Sequence, residues 1–267
     1  MRKNVLFFAV LGFSMICCQK IDPGGDPNFT IVKNKDSGTK KANRKVDVFG
    51  VPVYALKDVS DVKLLHAANI LAQFLDNNED GIVDNPLIVL TLINQESGIF
   101  LWAKESDAGQ ISLQDLGDEE TIPAWHVNGH NGRFDAALEE IWHVITHSGY
   151  SIVYPTIFGE SAGSSIANAM DIARGGQFTS IPSSYPNDSW YSYTDATCDY
   201  NCQITEYFYW AMLSILGAQE NRFDEIQQEW KLNTKQLVET QDPVMYNLLA
   251  NPQYKFPTVL PDGTYMH

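Results

Sequence analysis

The stretch FDAALEEIWHVITHSGY, from Phe134 to Tyr150, constrains this chain more than any other. At about 100° of rotation per residue with Glu139 as zero, Glu140, His143 and His147 fall at about 100°, 40° and 80°. On the same wheel Leu138, Ile141, Trp142, Val144 and Ile145 fall between about 140° and 300°. A helix here must therefore press one side into a core and leave two carboxylates and two imidazoles together on the other. That titratable face carries no Lys or Arg, whereas exposed helix faces ordinarily mix signs.

The surrounding pattern predicts a mainly helical α+β domain. VDVFGVPVYAL, 46 to 56, has the β-branched and aromatic content of a hairpin turning at Gly50. Leu64, Ala67, Ala68, Leu71, Phe74 and Leu75 recur at helical spacing, with Ser60 or Asp61 as cap, and PLIVLTLIN opens a short helix on Pro86. Strands are expected at 98–104 and within QISLQDLG, and helices at 134–148, 160–174, 203–218, 220–240 and 243–250. A small strand region thus precedes a helical C-terminal part in one domain, 46–267, of a size that buries a core unaided.

The N-terminus reads as an export signal: Arg2 and Lys3 precede an apolar run too short to span a bilayer. It ends in Cys17 and Cys18, which resembles a bacterial lipoprotein signal spanning 1–18 with Cys18 as the lipidated residue. The resemblance implies a chain anchored to the cell envelope, at the outer membrane, followed by a flexible tether, 19–45, rich in Gly, Pro, Asn, Asp and Lys. Two cysteines then remain, Cys198 and Cys202, and in an exported protein they are expected to form a disulfide within a turn entering a helix. A net charge of −15 argues against nucleic acid and in favour of cations as partners.

Two segments point to metal chemistry. DNNEDGIVDN sets Asp76, Asn78, Asp80 and Asp84 at alternating positions around Gly81, which resembles the calcium loop of EF-hands, though Leu87 stands where the bidentate glutamate belongs. In the amphipathic helix, imidazoles one turn apart can share a zinc ion beside a carboxylate able to take a proton. The segment resembles the active helix of zincin-type, gluzincin-like zinc metallopeptidases, with Glu139 in place of the first histidine. That resemblance implies a peptidase-like hydrolase in which His143 and His147, or Glu139 and His143, hold zinc with Glu206, from CQITEYFYWAM, as third ligand while Glu140 is the catalytic base, the two-histidine set being chemically plainer. The long aromatic loop before Cys198 offers Trp190, Tyr191 and Tyr193 as a surface for a peptide or glycan, and binding without catalysis is the competing expectation.

Overall fold

The computed structural model describes residues 26–267, so the expected signal sequence and Cys18 lie outside the described residues. Its organising element is a five-stranded sheet in the order β1 (Val32–Lys33), β2 (Arg44–Val48), β3 (Val51–Ala55), β4 (Ile99–Trp102) and β5 (Gln114–Gly117). β1, β2 and β3 pair antiparallel, whereas β3, β4 and β5 run parallel. Phe49 and Gly50 both have positive φ, 52° and 90°, which is the backbone of a tight two-residue hairpin between β2 and β3.

Parallel strands need crossovers. Between β3 and β4 the chain makes α1 (Asp61–Leu75) and α2 (Pro86–Asn94). Ser60 caps α1 by accepting from the Lys63 amide, and Pro86 opens α2, as the sequence leads one to expect. Strand side chains alternate accordingly. Val53, Ala55, Ile99, Leu101 and Leu116 join the main helical core, while Tyr54 and Phe100 form a smaller cluster with Ala42 and Ile111.

After β5 come α3 (Pro123–Val127), α4 (Ala137–Ile145), α5 (Ser151–Val153), α6 (Pro155–Phe158), α7 (Ser165–Ala173), α8 (Tyr200–Ile215), α9 (Phe223–Ile226), α10 (Lys235–Gln241) and α11 (Pro243–Leu249). α4 is the central element, packing on α1, β5 and α8. Its Trp142 is fully buried against Phe74, Phe208 and Phe256, with ring centroids 5.2, 5.6 and 6.1 Å away. Among the described residues no helix is long and apolar enough to cross a membrane.

Four expectations are corrected. Residues 26–45 are not a free tether: Asp26 accepts from Asn69, Phe29 stacks on Tyr265 at 5.8 Å, and β1 extends the sheet. The helix of 134–148 is α-helical only to Ile145 and continues as a π-turn, Thr146–Tyr150. The helix expected from 160 begins at Ser165, because Ser164 caps it and Gly163 takes a φ of 96°. The helix expected at 220–240 breaks after α9, because Trp230 turns into the core, pairs its backbone with Tyr191 and donates its indole N–H to Ser214 Oγ and Leu232 O.

Cys198 and Cys202 are joined by a disulfide, with 5.2 Å between their Cα atoms. Asp199 caps α8 between them, accepting from the amides of Asn201 and Cys202, so the bridge closes the turn that starts the helix.

Candidate metal centre

Glu139, Glu140 and His143 leave α4 on the side facing α8, from which Glu206 projects. One oxygen each of Glu139 and Glu206 and one nitrogen of His143 lie within 4.8 Å of one another. His143 Nε2 is 3.6 Å from Glu206 Oε2, and Nδ1 on the other side of the ring is 3.5 Å from Glu140 Oε2. Glu140 is held in turn by Gln114 of β5, whose Nε2 donates to Oε2 at 2.5 Å. Tyr193 and Tyr209 turn their hydroxyls toward Glu206 and Glu139.

His143 Nε2 is buried and has no hydrogen-bond partner among the described residues. A buried ring nitrogen in that condition forgoes a bond that the interior ordinarily supplies. Ligands about 2.0–2.2 Å from a tetrahedral zinc stand about 3.3–3.6 Å apart, so the spacing of Nε2 from Glu206 fits a shared ion.

Three carboxylates around one imidazole cannot all stay ionised in a dry site. Burial, with Glu140 and Glu206 adding, pushes the Glu139 carboxyl up to about 8 against the pull of His143. Burial, with Glu140 adding, likewise raises Glu206. Burial opposes charge on His143, but its hydrogen bond to Glu140 and the fields of Glu206, Glu140 and Glu139 outweigh that and raise it to about 9. At neutral pH the metal-free cluster therefore holds a protonated His143 and a neutral Glu139.

His147 does not join this group. Its Nδ1 meets Glu160 Oε2 at 2.7 Å, its side chain is 67% exposed, and Glu160 Oε1 accepts from Thr205. His147 stands one turn beyond His143, where α4 gives way to the π-turn, and Glu160 holds the imidazole there. Glu139, which the sequence reading puts in the place of a missing ligand, supplies the third group instead.

The aromatic loop also divides. Tyr191 is fully buried and donates its hydroxyl to Gln203 O, so it serves the core, whereas Trp190 is half-buried, packs against that core and donates its indole N–H to Asp242 Oδ2. Only Tyr193 of the three turns toward the cluster.

In the acidic loop Asp76 is buried, with Oδ2 accepting from the Gly81 amide and the Tyr265 hydroxyl at 2.8 and 2.6 Å. Asp84 accepts from the Asn77 amide, while Asp80 accepts from the Ile82 amide and the Asn78 side chain. These oxygens close the loop and dock the C-terminal residues on it, and Asp76, Asp80 and Asp84 do not form a convergent trio.

Among the described residues a second trio does converge, His66 with His126 and Asp135. No local pattern announces it, since 69 residues separate His66 from Asp135 and only the i, i+4 pair of His126 and His130 draws notice in the sequence. A cleft of about 550 Å³ lies between the end of the sheet and α4, lined by Gly98, Leu113, Gln114, Asp115, Val144 and His147. Another of about 500 Å³ opens on the far sheet face, where Asp36, Lys45 and Tyr54 bond to one another. Comparison of the chain with protein-family models, with curated proteins and with solved structures finds no match.

Proposed function

We propose that Glu139, His143 and Glu206 hold a divalent metal ion, zinc first among candidates, and that the chain is a metal-dependent hydrolase acting on peptides. The observation that carries this is the buried, unpartnered Nε2 of His143, 3.6 Å from Glu206 Oε2 and within 4.8 Å of Glu139. A dication can take the place of the protons that Glu139 and His143 otherwise keep, an exchange that leaves the local charge unchanged.

When bound, zinc supplies Lewis acidity toward a carbonyl or a water molecule. The chain supplies orientation. With Nε2 facing the two ligand carboxylates, Glu140 lies on the Nδ1 side, where it holds the ring and its proton while Gln114 fixes Glu140. This favours Glu140 as a positioning residue over the base that the zincin resemblance implies. β5 ends the sheet beside the cleft, and an edge strand is where an extended peptide can add itself by main-chain bonds. Binding through the aromatic loop alone has less support, since Tyr191 is buried in the core and half-buried Trp190 has its indole N–H engaged by Asp242.

Calcium at Asp76, Asn78, Asp80 and Asp84 rests on the loop's sequence, with the chain's own donors competing for those oxygens. Export with a lipid on Cys18 rests on the signal, and the Cys198–Cys202 bridge is in keeping with an oxidising compartment. Fatty-acid labelling that persists in Cys18→Ser overturns the anchor.

The function is tested by zinc content and peptide hydrolysis in the wild-type chain and in His143→Ala. We expect His143→Ala to lose one equivalent of zinc and all chelator-sensitive hydrolysis. Equal zinc content in the two proteins removes the site, and hydrolysis that survives the chelator removes the mechanism.

A further inference from the structure

Away from the α4–α8 cluster, we propose that His66, His126 and Asp135 form a second metal site, structural in kind, for zinc or a similar late first-row divalent ion. It does not depend on the first site.

Three separate segments supply the groups: His66 comes from α1, His126 from α3, and Asp135 from the turn that leads into α4. Both imidazoles aim the same nitrogen at the same oxygen, with His66 Nε2 and His126 Nε2 at 2.7 and 2.8 Å from Asp135 Oδ2. The other oxygen, Oδ1, is fixed by the Ile122 amide at 2.7 Å, so the carboxylate cannot swing and Oδ2 stays aimed at the rings. Asp135 is fully buried, and among the described residues neither Lys nor Arg pairs with it. A buried carboxylate without a cation is costly, so its countercharge must come from a proton shared with two imidazoles or from a metal ion.

Two imidazoles and a carboxylate make a donor set suited to zinc. The present spacings are those of hydrogen bonds, and opening them by about half an ångström gives the separations of a tetrahedral zinc shell. His130 is kept out, stacked on Trp125 at 4.4 Å, which leaves a fourth position to water.

The site is closed. His66 and His126 side chains are 5% and 4% exposed, and the C-terminal segment crosses the His66 ring at Gly263, where a Cβ would stand 2.1 Å from Nδ1. With φ at +81° the position favours glycine on backbone grounds as well. Three protein ligands and a water are the coordination of an open zinc site, but here the rings are buried and covered at Gly263, so the ion would act as a fastener, pinning α1 and α3 to the start of the helix that carries Glu139 and His143.

The test uses the chain carrying Glu139→Gln and Glu206→Gln together, which removes the ligand carboxylates of the α4–α8 cluster. Stripped with a chelator and titrated with zinc, it is expected to bind one equivalent, to shift the Nε2 resonances of His66 and His126, and to unfold at a higher temperature. Adding Asp135→Asn is expected to weaken that binding at least tenfold with far-ultraviolet circular dichroism unchanged. If that variant does not fold, the Nε2 resonances of the double variant decide alone. No zinc uptake by the double variant overturns the proposal, as does uptake that leaves both imidazoles unmoved. Zinc retained while hydrolysis is lost separates this site from the first.

Discussion

Asp135 and Glu139 stand four residues apart in the chain, yet they belong to clusters that settle their charge in opposite ways. Around Asp135 one carboxylate faces two imidazoles, and both Nε2 atoms have a partner in it. Around His143 one imidazole faces three carboxylates, and its Nε2 has no partner. The first arrangement pairs both Nε2 atoms with the carboxylate, leaves only His126 Nδ1 buried without a partner among the described residues, and is sealed under the C-terminal segment. The second is left electrostatically unresolved, the condition expected of a working site, and it reaches the cleft at the end of the sheet only through Gln114, which lines that cleft and holds Glu140. Similar side chains thus give a fastening in one place and a candidate reaction centre in the other.

Removing Asp135 should have the largest effect on the fold. Asp135→Ala strands two buried imidazoles and the Ile122 amide, and a loss of about 3–5 kcal/mol of unfolding free energy is expected in denaturant titrations. A loss under about 1 kcal/mol, the range of an ordinary hydrogen bond, would dissolve the contrast between the clusters. Glu206→Gln should do the reverse, leaving stability intact while peptide hydrolysis drops about 10²–10³-fold, equivalent to about 3–4 kcal/mol of transition-state stabilisation. Unchanged kcat/KM in that variant removes Glu206 from the site.

Glu140→Gln sharpens the roles within the second cluster. As a positioning residue, Glu140 should be worth about 10–100-fold in zinc affinity, and its loss should lower the pKa of His143, read by NMR in the metal-free chain. Undiminished zinc affinity with hydrolysis abolished would instead return Glu140 to the role of base.

How much of this the sequence discloses depends on the range of the interactions. Periodicity places α1 with its Ser60 cap, the hairpin at Gly50 and the buried side of α4, because each is decided within a few residues. Glu206 also stands out, as a lone carboxylate in an apolar helix that needs a partner. His147 misleads, because the wheel gives its direction but not its partner, and Glu160, which is not part of the α4–α8 cluster, engages it at the surface. Tyr191 and Trp190 look like a binding surface because their loop is polar, but Trp230 and Asp242, distant in sequence, draw them inward. The trio of His66, His126 and Asp135 has no local signature, since it exists only where three segments meet.

The pH dependence of the metal-free chain sharpens the comparison further, because the clusters act at opposite ends of the scale. Burial works against the Asp135 charge, but the bonds to His126 and His66 outweigh it and hold the carboxyl well below the usual range. Its contribution is therefore present above the ordinary carboxylate pKa of 3.8 and is lost as pH falls through the depressed value. Glu139 and His143 are raised instead, from 4.5 to about 8 and from 6.5 to about 9, so each contributes fully below its unfolded value and loses that contribution as pH rises through the folded one. They face each other and Glu140, Glu206 and Tyr209, so the charge on each depends on its neighbours. The unfolding free energy of the metal-free chain, and its thermal midpoint with it, should thus fall between pH 4.5 and 9, with a slope of at most about 1.4 kcal/mol per pH unit for each proton released. Zinc removes the same protons, so a saturated chain should lose this alkaline slope while keeping its acid limb. Glu139→Gln should flatten the slope without metal. A metal-free midpoint that stays level from pH 4.5 to 9 would mean that the carboxylates around His143 share their charge with solvent, and the two clusters would then differ only in composition.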